Sequence, residues 1–120
     1  MTKEQLKNRT KQFALRVFKF LITIEKNKAV DVISYQLFKS SSSVAANYRA
    51  VCRGKSNADF LNKLKIVDEE SDESLFWLEF IQGLEIECDK NELQALIKEA
   101  DELTAIFSSA IKTIKAKNNL

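Results

Sequence analysis

Residues 40–60 read SSSSVAANYRAVCRGKSNADF, from Ser40 to Phe60, and the fold turns on whether the four serines form a linker or a piece of helix. Apolar residues precede them at Val30, Ile33 and Leu37 and follow at Val44, Tyr48 and Val51. The steps of 3, 4, 7, 4 and 3 residues hold one helical phase across the serines. A linker would lose that phase. The stretch is therefore read as part of one helix over residues 29–54, with Ser40 or Ser41 filling the empty buried position. Serine is a middling helix former, so close packing must compensate, with Ser41, Ala45 and Ala46 admitting a neighbouring helix. Gly54 fits the end of this helix. Ser56 fits the N-cap of the next, and Asp59 makes a variant of the capping box.

Working outward, the same periodicity predicts three more helices. Residues 3–26 carry Leu6, Phe13, Val17, Phe20, Leu21 and Ile24 on one stripe, and Asn27–Lys28 makes the first turn. Residues 57–82 carry Phe60, Leu64, Val67, Ser71, Ser74, Leu78 and Ile81, and the two serines are expected to face those of the preceding helix. Gly83 to Asp89 turns the chain, Asp89 or Asn91 caps, and residues 90–116 carry Leu93, Leu96, Ala100, Leu103 and Phe107. The chain has no proline and two glycines in 120 residues, which argues against a turn-rich sheet protein. The expectation is all-α: one domain over residues 1–120, an antiparallel up-down-up-down four-helix bundle.

Net charge is only +2, but it is polarised. Residues 1–28 hold eight Lys/Arg against two Glu, while residues 57–88 hold two against nine Asp/Glu. Such polarity suits complementary faces between subunits or an anionic partner as well as it suits solvated helices. There is no histidine, and Cys52 and Cys88 lack metal-ligand spacing. The acids Asp68, Glu69, Glu70, Asp72 and Glu73 flank their helix's apolar seam and read as an exposed face. No base accompanies Cys52, and no glycine-rich phosphate loop occurs. No enzyme, cofactor or metal is therefore expected. No apolar run is long enough to span a bilayer and the N-terminus is polar, which predicts a cytoplasmic protein with no membrane partner and reduced thiols. The remaining chemistry is phosphate binding. Lys3, Lys7, Arg9, Lys11, Arg16 and Lys19 on the first helix and Arg49, Arg53 and Lys55 on the second are the candidates for RNA or DNA. Ser41, Asn47, Ser56 and Asp59 are assigned structural polar roles, and Asn47, Arg49, Arg53 and Asp59 are expected to make polar contacts between helices.

A resemblance rests on Gln36–Leu37, Ser41–Ser42, the Ala46-Asn47-Tyr48-Arg49 run, Arg53, Ser56, Asp59–Phe60, Lys63–Leu64, and Glu70-x-Asp72-Glu73-Ser74-Leu75-Phe76-Trp77-Leu78-Glu79. Over these residues the chain resembles the four-helix bundle, or 23S rRNA-intervening sequence, proteins. It departs at Gly54 and Ser71, commonly alanine in the family, and at Ala50, often glutamate. The resemblance implies a bacterial antiparallel bundle assembling as a homopentameric ring, without established catalysis. A similar group, the accessory proteins of diversity-generating retroelements, implies by analogy nucleic acid and a reverse-transcriptase-like partner. The expected function is a non-enzymatic oligomeric bundle binding RNA or other nucleic acid. The alternative is a protein-interaction adapter without such affinity.

Overall fold

The computed structural model describes residues 1–118. Four helices follow in order: α1 (Lys3–Leu21), α2 (Lys28–Val51), α3 (Asn57–Leu84) and α4 (Lys90–Asn118). Each packs on two neighbours, α1 with α2 and α4, α3 with α2 and α4. The register is antiparallel. Arg9 reaches Glu99 and Arg16 reaches Glu92, so seven residues forward on α1 are seven back on α4. The core is the stripe read from the sequence: Phe13, Val17, Leu37, Val44, Leu64, Val67, Leu78, Leu96, Leu103 and Phe107 are all buried.

The caps explain where helices start. Thr2 and Gln5 form a reciprocal capping box on α1. Asn27 accepts from the Val30 amide at 2.9 Å, Ser56 from the Asp59 amide at 3.1 Å, and Asp89 from the Glu92 amide at 3.0 Å. Each satisfies an orphan donor of the first turn.

Helix ends were harder to read. α1 stops at Leu21 rather than residue 26. The Thr23 hydroxyl takes the Phe20 carbonyl, and the Glu25 amide donates across to Glu87 in the α3–α4 turn, so the two turns at this end are tied together. Ile24 is buried from outside the helix. α2 ends at Val51, before Gly54. Gly54 has no left-handed backbone; a Cβ there would meet the Val51 carbonyl oxygen at 3.2 Å, so it serves close approach. α3 runs on to Leu84 instead of 82, and Glu85, not Gly83, takes the left-handed cap position at φ 54. α4 extends to Asn118 rather than 116. Gly83 is thus a helical residue in the last turn of α3, with nothing within 4 Å of an added Cβ. Gly83→Ala is expected to stabilise the fold by about 1 kcal/mol, measurable as a raised urea midpoint; an unchanged or lowered midpoint would show that α3 ends earlier.

The serine run is continuous helix. Ser40 and Ser41 are both fully buried, and each hydroxyl donates to a carbonyl of the preceding turn. Ser74 of α3 donates to Ser40 at 2.9 Å, so one helix-3 serine does meet the run. Ser71 pairs instead with Thr104 of α4 at 2.8 Å. Ala46 is exposed and admits no neighbour.

Candidate nucleic-acid interface

Helical spacing decides which cations converge. On α1, Lys7 and Lys11 lie one turn apart on the side facing α2, while Arg9 and Arg16 lie on the side facing α4. Arg49 lies in the last turn of α2 and Arg53 in the turn just after it, with Ala46 and Ala50 beside them. The result is a groove of about 330 Å³ between α1 and α2, walled by Lys7, Lys11 and Arg49 over a floor of Ala14, Ser42, Ala45 and Ala46. Across α2 the surface continues through Arg53 and Lys63 around Ala46 and Ala50. Lys7, Lys11, Arg49 and Arg53 make no ion pair among the described residues; Lys63 pairs with Asp59 at 2.9 Å.

The structure withdraws the other predicted cations from this cluster. Arg9 donates Nε to Glu99 at 2.7 Å, and its Nη2 to Glu99 at 2.6 Å and to Glu102 at 2.8 Å. Arg16 holds Glu92 through two bonds at 3.2 and 2.8 Å. Hydrogen bonding to those carboxylates holds both guanidinium pKa values above their ordinary value, against the opposing effect of burial. These arginines close the α1–α4 seam. Lys19 sits beside Asp89, Asn91 and Glu92 at the start of α4. The Lys3 ammonium stands over the Phe60 ring, 4.8 Å from its centroid. Lys55 lies in the α2–α3 turn, its amide donating to Asp59 at 3.3 Å.

The structural polar assignments divide likewise. Ser41 is buried, and Ser56 caps α3. Asn47 stays within α2, donating to the Ser43 carbonyl at 2.9 Å and hydroxyl at 2.8 Å. Asp59 also bonds locally, and the Lys63 ammonium followed by the Lys55 amide holds its carboxyl below the usual range. The expectation of contacts between helices from Asn47, Arg49, Arg53 and Asp59 is therefore corrected: Arg49 at the end of α2 and Arg53 in the turn after it are exposed, and the other two bond near their own backbone. Lys63, not among the expected residues, lies one turn after Asp59 and pairs with it at 2.9 Å. The seam arginines did leave a signal: Arg9 and Arg16 are spaced seven apart, as are Glu92 and Glu99.

α3 carries the opposite charge. Asp68 accepts from Ser108 of α4 at 3.0 Å, and Glu69, Asp72 and Glu73 are exposed. Burial, and then neighbouring Glu73, push the Glu70 carboxyl upward. Among the described residues no group of three or more His, Cys, Asp or Glu could hold a metal ion, and no helix is long and apolar enough to cross a membrane.

Residues 2–109 match the sequence profile of the family described as 23S rRNA-intervening sequence protein. The chain is also similar to the 1.70 Å crystal structure of a protein with unknown function from the S23 ribosomal protein family of Bacteroides thetaiotaomicron VPI-5482. The two are 31% identical with a TM-score of 0.76, and the match covers 88% of this chain and 97% of that one. No curated protein matches the chain.

Proposed function

Because the chain belongs to the 23S rRNA-intervening sequence protein family, we propose that it is a non-enzymatic helical-bundle protein that binds RNA through the cationic face of α1 and α2. The observation that carries this reading is that Lys7 and Lys11 of α1, Arg49 of α2 and Arg53 of the following turn share one side of the bundle, with no carboxylate paired to them among the described residues. The family name points to an RNA context; the groove supplies phosphate contacts and no base-specific donor set, so binding is expected to depend little on sequence.

Fluorescence anisotropy with a labelled oligouridylate tests it. Lys11→Glu combined with Arg49→Glu is expected to weaken binding by about tenfold or more, since two phosphate contacts become repulsions. Lys98→Glu, an exposed change on α4, should leave affinity within about twofold. Equal affinity of the double variant and the wild type would remove the site.

A further inference from the structure

The bundle end where α1 and α3 begin and α4 finishes holds a cavity outside the groove. It measures about 240 Å³ and is lined by Lys3 of α1, Asn57 and Phe60 of α3, and Ile114, Lys117 and Asn118 of α4. Phe60 and Ile114 are half-buried and pack on the core. The two asparagines are tied in place. Asn57 Nδ2 donates to Asn118 Oδ1 at 2.8 Å, and Asn118 Nδ2 donates to the Ile114 carbonyl at 2.8 Å. Asn57 keeps its Oδ1 and one N–H without a partner among the described residues.

The lining combines three kinds of group. The Phe60 ring offers an aromatic face, the Asn57 amide an edge with a donor and an acceptor, and Lys3 and Lys117 two positive charges. One ligand class uses all three: a nucleotide stacks its base, bonds through its base edge and sets its phosphate between cations. A bare phosphate leaves the ring and the amide idle, and an apolar ligand leaves the charges idle. The Lys3 ammonium stands 4.8 Å from the Phe60 centroid. Such a contact is weak at an exposed site, and Lys3 has no carboxylate partner among the described residues. It is free to turn to a phosphate and leave the ring to the base.

The cavity also lies on the line of the groove. Lys3, Lys7 and Lys11 follow at steps of four residues, about 6 Å of rise each, so one row of ammoniums runs from the groove to the cavity. The other end of the bundle has the opposite character: the depression beside Lys19 is walled by Asp89 and Glu92, which repel phosphate.

We infer that this end cavity is a nucleotide site that takes the base at the end of an RNA strand, stacked on Phe60, with its edge on Asn57 and its phosphate between Lys3 and Lys117. The strand's path rests on the RNA-binding reading; the nucleotide site itself does not.

Heteronuclear NMR on the full chain tests the site with uridine 5′-monophosphate, which carries one base and one phosphate. The side-chain amide signals of Asn57 and Asn118 should shift to saturation. Ribose 5-phosphate, which lacks the base, should bind at least about fivefold more weakly. Phe60→Leu keeps an apolar side chain on the core and removes the ring, and Asn57→Ala changes an exposed position. Each should weaken uridine 5′-monophosphate binding, and Phe60→Leu should weaken oligouridylate binding by about fivefold. Unmoved amide signals, equal binding of the two phosphates, or variants that hold uridine 5′-monophosphate like the wild type overturn the nucleotide site. Oligouridylate bound equally by the wild type and Phe60→Leu overturns the strand's path and leaves the proposed function standing. If no form binds oligouridylate, the proposed function and the path both fall, while uridine 5′-monophosphate still decides the site.

Discussion

Phe107→Ala is expected to destabilise the protein by about 3–5 kcal/mol, the largest effect of any single truncation considered. Phe107 is fully buried on α4, and its ring lies 5.8 Å from that of Tyr48 on α2, across the bundle between the other two helices. Removing the ring leaves a cavity lined by neighbours from more than one helix, and rigid helices collapse into such a space only partly. Phe76→Ala makes the matched control. The same atoms are lost, but Phe76 is half exposed and its ring meets only the edge-on Trp77 at 4.9 Å and Phe80 at 6.0 Å among aromatic rings, so its change should stay within about 1.5 kcal/mol. Urea unfolding at a concentration where the protein is monomeric measures both. Similar losses at the two positions would contradict the assignment of faces.

The second large effect is at the serine run. Ser40→Leu is expected to cost about 3 kcal/mol, because the side chain has no exposed surface and its oxygen lies 2.9 Å from that of Ser74 on α3. The α2 and α3 backbones are held at a separation that a leucine exceeds. Ser40→Ala should cost no more than about 1.5 kcal/mol, since the Ser74 hydroxyl then turns its one proton to the Glu70 carbonyl, 2.9 Å away. The contrast separates two explanations of the serines. If they serve polarity, alanine and leucine cost alike, since both lose the hydroxyl; if they serve close approach, leucine costs more. Urea midpoints of the two variants decide between them, and a leucine variant as stable as the wild type would remove the packing explanation.

Sequence periodicity carried the fold well because one physical cause, burial of a single stripe per helix, acts at every third or fourth residue. The unbroken phase from Leu37 to Val44 was enough to place Ser40 and Ser41 inside α2, where both are buried. N-caps were also legible, since Ser56 and Asp89 bond within their own turn. Helix ends were less so. α1 stops early because a bond from Glu25 to Glu87 joins two turns sixty-two residues apart, which no local pattern reports. Glycine misled twice: Gly54 answers to crowding and Gly83 to nothing nearby, while Glu85 takes the left-handed turn.

The cationic site was half legible. Composition located the basic helix, yet it counted Arg9 and Arg16 with Lys7 and Lys11. Two residues along a helix rotate a side chain to a different face, so Lys7 and Lys11 border the groove while Arg9 and Arg16 are spent on α4 carboxylates. Lys19 is separated from the groove for the same reason. What the stripe leaves outside the core was the least legible part. Phe18, Ile22, Phe76 and Phe80 widen the apolar surface in the sequence, and only the packed bundle shows that its own core does not need them.

The central claim is that phosphates meet cations on α1 and α2, and salt tests it most directly. The affinity of the wild-type chain for oligouridylate, measured across a salt series at a protein concentration where it is monomeric, should fall linearly on a double-logarithmic plot. Four phosphate contacts, from Lys7, Lys11, Arg49 and Arg53, give an expected slope of about −3 for a single strand. A flat line, or no binding at the lowest salt, contradicts the account.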